Sequence, residues 1–279
     1  MIAATVRALT EKDRPAALAL WQARFFDSAP FCAWYFSERF DPALSAGAFS
    51  GEGRLLSMAL GRRVRLEAGT ERADAVLVAG VSTREGFERQ GLMRRTMAQV
   101  GVLAALAGAS LLVLRPVDPA IYLPLGFQPY SAARLAPGTG RAVRAPLPAG
   151  RTDPAALADC YAAATGRLSA RQRRTAADMA ARLREVESDG GGCVALTDGA
   201  CVRAYALLES PGGDAVEAAA RTAADYAALL DALEKDCLAL LPPDAPTGAV
   251  VPHAMARALA PAAAFDRGAA AARFLPEEY

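Results

Sequence analysis

The chain has 279 residues, near the length at which one hydrophobic core usually gives way to two. Its 53% hydrophobic and 22% charged residues exclude a disordered chain, and a net charge of +1 gives no electrostatic reason to expect nucleic acid or an anionic membrane as partner. The longest apolar run, residues 100–117, is broken by Gly101, Gly108 and Ser110 and falls short of the roughly 18 to 20 uninterrupted residues that span a bilayer. The first residues, "MIAATVRALTEKDR", show no basic leader followed by an apolar segment, so a cytoplasmic protein is expected. Cys32, Cys160, Cys193, Cys201 and Cys237 are odd in number and scattered, and His253 is the single histidine. Neither a disulfide framework nor a metal site is expected from such spacing.

In chain order, "VRALTEKDRPAALALWQARFF" predicts a short strand, a cap and a helix. Thr10 and Asp13 stand at the spacing of a capping box, and Ala17, Leu18, Leu20, Trp21 and Phe25 recur at helical period. "DSAPFCAWYFSERF" predicts a second, aromatic helix entered after Pro30, in which Cys32 is read as a small buried apolar residue. Strands follow at "AGAFS" and, after the turn Gly51–Gly53, at "RLLSMALGRRVRLEAG", with another at Ala75–Val81. A helix over about Gln90–Leu106 precedes the buried strand "SLLVLRP", a single helical turn in "DPAIYLPLGF" and a return strand.

Residues 136–157 carry four prolines and three glycines and resemble a linker. Beyond them the pattern predicts helices at Pro154–Thr165 and Ala170–Glu187 and strands at "CVALT" and "CVRAYALLES". A strand near Ala215 and a helix over Ala223–Leu240 follow. "RQRR" at 171–174 reads as a solvated helix face and His253 as a linker residue. The second half partly repeats the order of the first, without its glycine loop.

That loop is "GVSTREGFERQGLMRRTMAQVG", residues 80–101, where a strand delivers the chain through Gly91 into a basic helix. First-turn N–H groups at such a helix start have no intrahelical acceptor, and the macrodipole adds positive charge there, so a pyrophosphate is a natural ligand. Arg89, Arg94 and Arg95 add charge or are solvated. The glycine pattern alone also fits an ordinary helix start, and its spacing does not fit a dinucleotide-binding turn.

With its surroundings, the stretch resembles the acetyl-CoA loop of the GNAT acetyltransferases, a strand followed by R/Q-x-x-G-x-G/A and a helix. "ALTEKDRPAALALWQARFFDSAPFCAWYFSERFDP" and "PVDPAIYLPLGF" resemble further segments of the branch typified by the Eis (enhanced intracellular survival) proteins. The second half resembles that branch's degenerate second GNAT domain. The resemblance implies an α/β fold of tandem GNAT-like domains with mixed sheets, packed through those sheets. A catalytic domain is expected at 1–140, a second at 150–252 and a tail at 253–279.

The resemblance implies acetyl-CoA as co-substrate, bound along Val81, Ser82 and Thr83 and cradled by Arg89, Gln90, Gly91, Leu92, Met93 and Arg94. Glu88 stands where the family has Arg or Gln, and is expected to turn away from the phosphates, toward Arg84 or Arg95. Tyr122 falls at the family's general-acid tyrosine; a phenol with pKa about 10 can protonate a departing thiolate. Tyr130 is nearby, but the "IYxxxGF" frame favours Tyr122. Tyr122 packing against the sheet is the structural alternative.

An acceptor amine with pKa about 10 must lose a proton at a cost of roughly 4 kcal/mol at neutral pH. In the Eis branch a terminal carboxylate reaches the first domain's active site, so the Tyr279 carboxylate, or Glu277 and Glu278, are candidates here. Phe26, Asp27 and Trp34 fall where the branch builds its acceptor pocket, though the aromatics also suit a core and Asp27 a helix cap. The implied partners are a small-molecule or peptide amine and, as in relatives, further copies of the chain. A CoA-binding module without turnover is the competing class.

Overall fold

A computed structural model describes residues 3–259 and 273–276. Strand β1 (Thr5–Ala8) leads into helices α1 (Arg14–Arg24) and α2 (Ala29–Glu38), then β2 (Ala46–Phe49), β3 (Leu55–Ala68) and β4 (Glu71–Thr83). Helix α3 (Leu92–Leu106), β5 (Leu111–Leu114), the turn α4 (Pro119–Tyr122) and β6 (Gln128–Pro137) complete the first half. The second half contains α5 (Pro154–Thr165), β7 (Ala170–Gln172), α6 (Ala176–Ser188), β8 (Gly192–Asp198), β9 (Cys201–Leu208) and β10 (Ala215–Ala220). It ends with α7 (Ala223–Asp231), β11 (Leu238–Leu241), β12 (Ala249–Ala258) and β13 (Arg273–Phe274).

One sheet runs through both halves in the order β1-β2-β3-β4-β5-β12-β6-β11-β10-β9-β8. Along that path only β4–β5 and β10–β11 are parallel, each pair joined through a helix, α3 or α7. Each half therefore contains an antiparallel hairpin followed by a return through a helix to a parallel strand, which is the physical content of the repeat seen in the sequence. The halves do not pack as two separate sheets. β12 lies between β5 and β6 and pairs with both, so a chain segment from the far end fills the centre of the sheet.

The structure changes four expectations. The boundary drawn at 252/253 falls inside β12, and His253 is a buried strand residue, not a linker. Its imidazole is pushed down to about 3 by burial and then by neighbouring arginines, so it is neutral at ordinary pH. Ala170–Gln172 form a short strand against β3 and β13 ahead of α6, where a continuous helix was expected. The helix drawn through Leu240 ends at Asp231, and the apolar run Leu238–Leu241 pairs with β6 as β11. At β11 a short apolar stretch at ambiguous period went to the sheet because the edge of β6 was there to receive it.

Local chemistry sets the helix starts. The Asp13 carboxylate accepts from the Thr10 N–H and hydroxyl, each at 2.8 Å, ahead of α1. Ser28, Asp153, Thr175 and Thr222 each accept a first-turn N–H with their side chains at the starts of α2, α5, α6 and α7. One sheet face of the first half is covered by α1 and α2 through Leu20, Trp21, Phe31, Tyr35 and Phe36; Trp21 and Tyr35 have ring centroids 4.6 Å apart. The opposite face is covered by α3 through Met97, Val100 and Ala104. Cys32 is buried, as expected of a small apolar residue.

The halves meet through charge. Helix α2 faces α6, with Arg184 donating to Glu38 at 2.7 Å, Arg39 to Glu185 at 3.2 Å, and Ser28 to Asp189. Behind them Arg174 and Glu217 form a 2.5 Å ion pair with both side chains fully buried, and Tyr205 donates to the same carboxylate at 2.7 Å. The "RQRR" run is thus not a solvated helix face: Arg174 is interior, and Arg171 bonds Glu67 at 3.4 Å. Removing one partner of a buried pair strands the other charge. Arg174→Met should cost about 3–5 kcal/mol in urea unfolding, and Arg174→Met with Glu217→Leu and Tyr205→Phe should recover most of it.

Candidate active site

β4 keeps its pairing with β3 up to Thr83 but leaves β5 early. The parallel pairs are Ala75 with Leu111, Val76 with Leu112 and Leu77 with Val113, and they stop there. The cause lies in the β3–β4 register. Between the pairs Leu60–Ala79 and Met58–Ser82, β3 has one residue and β4 has two, Gly80 and Val81. This is a bulge, and a bulge bends its strand. Gly80 has φ +56, and a Cβ there would collide with the Trp21 indole. Trp21 is in turn fixed by donating its Nε1–H to Asp27 at 2.7 Å.

Past the bulge, the parity of the strand decides which groups are free. The Arg84 N–H donates to Leu56 O at 2.7 Å, so Ser82 also faces β3, where its carbonyl accepts from Ser57 Oγ at 2.9 Å. Alternation turns the N–H and C=O of Thr83 the other way, into the gap β5 has left. Val81 sits in the bulge itself. Of the three residues expected along a cofactor, Thr83 therefore offers its main chain to the gap and Ser82 does not.

The loop to α3 has an uncommon backbone. Arg89 is the only non-glycine with positive φ among the described residues, at 57°, and Gly91 follows at 75°. Left-handed residues on either side of Gln90 give the alternating handedness in which successive N–H groups converge on an anion. Gly91 is the N-cap of α3 and brings no side chain to that role, unlike the residues that begin α2, α5, α6 and α7. Leu92 anchors the helix start in the core with Ala48 and Leu56, while Arg89, Gly91 and Arg94 are exposed. Glu88 pairs with Arg24 at the end of α1, 3.3 Å away, rather than with Arg84 or Arg95. Those two arginines donate instead to Leu55 O and Ala4 O.

Tyr122 ends α4, whose start is capped by Asp118 accepting from the Ala120 N–H at 2.9 Å. Its ring meets Phe127 edge-on with centroids 5.9 Å apart, and burial pushes its phenol above the ordinary value. Val81, Met93 and Tyr122 all pack, half-buried, on the same cluster of Val78, Met97 and Phe127. The structure thus brings together one residue from each of the strand, the loop and the tyrosine segment. Tyr130 belongs to a different cluster with Val64 and Leu77 and is fully buried. Tyr279 lies outside the described residues.

Of the expected acceptor residues, Asp27 lines a cavity of about 120 Å³ between the halves, beside Phe31 and Arg182. Glu185, Asp189 and Glu209 line the same space, so among the described residues carboxylates outnumber guanidiniums around it. Asp27 does not cap α2; Ser28 does. Phe26 is fully exposed, and Trp34 is buried under the Arg39 guanidinium, 5.1 Å from its ring centroid. That the second half shapes the acceptor site or an oligomer interface is what the resemblance implies, but which of its residues do so is not legible, because nothing local in "RLREVESD" distinguishes an interface from a solvated helix face. Among the described residues no group of three or more His, Cys, Asp or Glu could hold a metal, and no helix is long and apolar enough to cross a membrane.

Residues 5–130 match the family model described as an acetyltransferase (GNAT) domain. No curated protein gives a significant sequence match to the chain. Among solved structures, a probable N-acyltransferase from Enterococcus faecalis V583 superposes with TM-score 0.70 at 15% identity, covering 92% of this chain and 73% of its own. A GCN5-related N-acetyltransferase from Kribbella flavida gives TM-score 0.65 at 17% identity, over 92% and 71% of the two chains. Eis1 from Mycobacterium abscessus gives 0.62 at 16% identity, over 92% and 74%. At these identities the likeness establishes the fold, a mixed α/β GNAT fold extending through both halves.

The bulge is open to direct test. Gly80→Ala places a methyl against the Trp21 ring at a left-handed backbone position, and should lower stability by about 1–3 kcal/mol in chemical denaturation. Gly51→Ala, where nothing lies within contact distance, is the control and should stay within about 0.5 kcal/mol.

Proposed function

We propose that the chain is an acetyl-CoA-dependent N-acetyltransferase that moves the acetyl group directly to a primary amine of a small molecule or peptide. The observation that carries the reading is the parting of β4 from β5 beside a helix start without a side-chain cap. An open strand edge at Thr83 suits an amide-bearing arm running as an added strand, and the converging N–H groups of residues 89–93 suit a pyrophosphate. A coenzyme A thioester has both parts, and it supplies the acetyl group and a thiolate leaving group. The match of residues 5–130 to an acetyltransferase (GNAT) domain supports the same reading. The likeness to Eis1 supports the finer assignment to an Eis-like branch with a second GNAT-like domain. We place the catalytic domain at 1–140 and the second domain from residue 150 onward, with β12 as the strand that ties them.

In the proposed reaction the amine nitrogen attacks the thioester carbonyl carbon, and the collapsing adduct breaks the carbon–sulfur bond. Tyr122 gives its phenolic proton to the departing thiolate. Burial holds that phenol protonated through the neutral range, which is the state a general acid needs. No covalent enzyme intermediate is required. The acceptor enters beside Asp27, where the carboxylate-rich cavity wall favours a protonated amine. The amine's proton leaves to a carboxylate or to water. A main-chain N–H near the bulge polarises the carbonyl.

Helix α7 supports assigning the cofactor to the first half alone. Its N-terminus is already closed by Thr222, which accepts from the Asp225 N–H, and only two residues separate it from β10. No comparable cradle is left for a phosphate.

Tyr122→Phe should lower turnover with an amine panel by about two to four orders of magnitude, with acetyl-CoA affinity retained in calorimetry; unchanged turnover removes Tyr122 from the mechanism. If the unaltered chain binds acetyl-CoA and acetylates no amine, the non-catalytic CoA-binding reading replaces this one. Glu88→Arg removes only a half-exposed ion pair, so stability should change by less than about 1 kcal/mol. Acetyl-CoA affinity should stay equal or rise, and a clear loss would mean that the loop has been misplaced.

A further inference from the structure

Helix α1 ends beside the proposed cofactor loop. Its last residue is Arg24, and the Phe25 N–H closes the helix on Trp21 O at 2.9 Å. The Trp21 ring lies where a Cβ at Gly80 would be, so this helix end is seated against the bulge. From there Arg24 reaches Glu88, Nη2 to Oε1 at 3.3 Å. Glu88 immediately precedes Arg89, Gln90 and Gly91, whose alternating handedness suits an anion. A carboxylate beside such a cradle opposes the ligand that the cradle suits, and Arg24 is the group that offsets it.

Stability does not account for this pair. The two side chains are 34% and 38% exposed, and ion pairs so open to water contribute little. The contact also leaves most of the guanidinium uncommitted, since Glu88 is the one ion-pair partner of Arg24 among the described residues. Arg84 and Arg95, which flank the loop, donate instead to main-chain carbonyls, Leu55 O and Ala4 O. Arg89 and Arg94 are exposed. Of the described arginines around the loop, Arg24 is the one that a carboxylate holds in place.

We infer that Arg24 binds a phosphate of the cofactor and that Glu88 is the positioning residue that holds it there, an assignment that rests on the acetyl-CoA reading. A single contact to Glu88 leaves N–H groups of Arg24 for phosphate oxygens, which a guanidinium meets as a planar fork. Holding the side chain before the ligand arrives lowers the cost of ordering it on binding. The carboxylate beside the cradle is then part of the phosphate site, because it presents an arginine from a different helix. Glu88 cancels part of that arginine's charge and in return fixes where its free donors stand.

The experiment is calorimetry of the full chain with acetyl-CoA and with S-acetylpantetheine, which lacks every phosphate. Arg24→Gln should weaken acetyl-CoA binding about tenfold and leave S-acetylpantetheine unchanged. The unliganded Tm should move by no more than about 2 °C. Arg141→Gln, which opens another surface pair, with Asp231, should leave both affinities alone. Arg24→Gln combined with Glu88→Gln separates a ligand from a mere counter-charge. The pair has no net charge, so removing both members restores the affinity if Arg24 only cancels Glu88. A phosphate ligand at position 24 predicts that acetyl-CoA binding stays at least about fivefold weaker in the double variant. Unchanged affinity in Arg24→Gln, or full recovery in the double variant, overturns the role of Arg24 and leaves the cofactor reading standing. Absence of acetyl-CoA binding in the unaltered chain overturns both.

Discussion

Everything proposed for the first half depends on two neighbouring parallel strands separating partway along their length. Three paired residues hold β4 to β5, and the pairing ends at Leu77. A sheet does not normally give up main-chain hydrogen bonds in its interior, because an unpaired buried amide is costly. The fold accepts that opening because the bulge at Gly80 and Val81 diverts β4 while its bonds to β3 continue on the other side. Trp21 makes the diversion specific. Its indole occupies the space a side chain at position 80 would take, and Asp27 holds the indole from the far side. The strand gap and the Asp27 wall of the cavity proposed for the acceptor are thus parts of one packed unit.

The two halves illustrate how one topology keeps or loses an anion cradle. Both send the chain from a strand into a helix that returns it parallel to the same sheet. At α3 the N-cap is a glycine preceded by a left-handed arginine. At α7 it is Thr222, whose hydroxyl accepts from the Asp225 N–H and lies 2.8 Å from that residue's carboxylate. The helix dipole is present in both, so what separates them is whether the protein itself satisfies the first-turn donors. A capped start is the more stable helix and a poorer host for phosphate.

Legibility in the sequence followed how local each signal was. Helix α5 was read to the residue at both ends, Asp153 and Pro154 marking its start. The strand, loop and tyrosine segments were readable because turn glycines and the "IYxxxGF" frame are short-range features. What was not readable depended on partners far along the chain. "LLPPDAPTGAVVPHAMARA" carries no sign that residues 249–258 enter the sheet between β5 and β6, which are themselves made more than a hundred residues earlier. Likewise "RQRR" looks solvated until Glu217 is known to wait behind it. One clue was available: alternation along "LGRRVRL" places Arg62 on the same side as Leu60, Val64 and Leu66, an inward position for a charge.

The interface between the halves then has a definite electrostatic form. Glu185 is 3% exposed and accepts from Arg182 on its own helix and from Arg39 just past the end of α2. Arg39 lines a cavity of about 210 Å³ with Arg62, Arg63, Arg65 and Arg173, and Glu185 and Arg182 line the carboxylate-rich cavity beside Asp27. Among the described residues the two spaces have walls of opposite charge and are separated by one chain of ion pairs, each end of which belongs to a wall. Simple burial would not favour this, since a well-packed apolar interface of the same volume is usually at least as stable as buried charge. Of the two walls, the carboxylates beside Asp27 are accounted for by the proposed acceptor, whose ammonium they would attract.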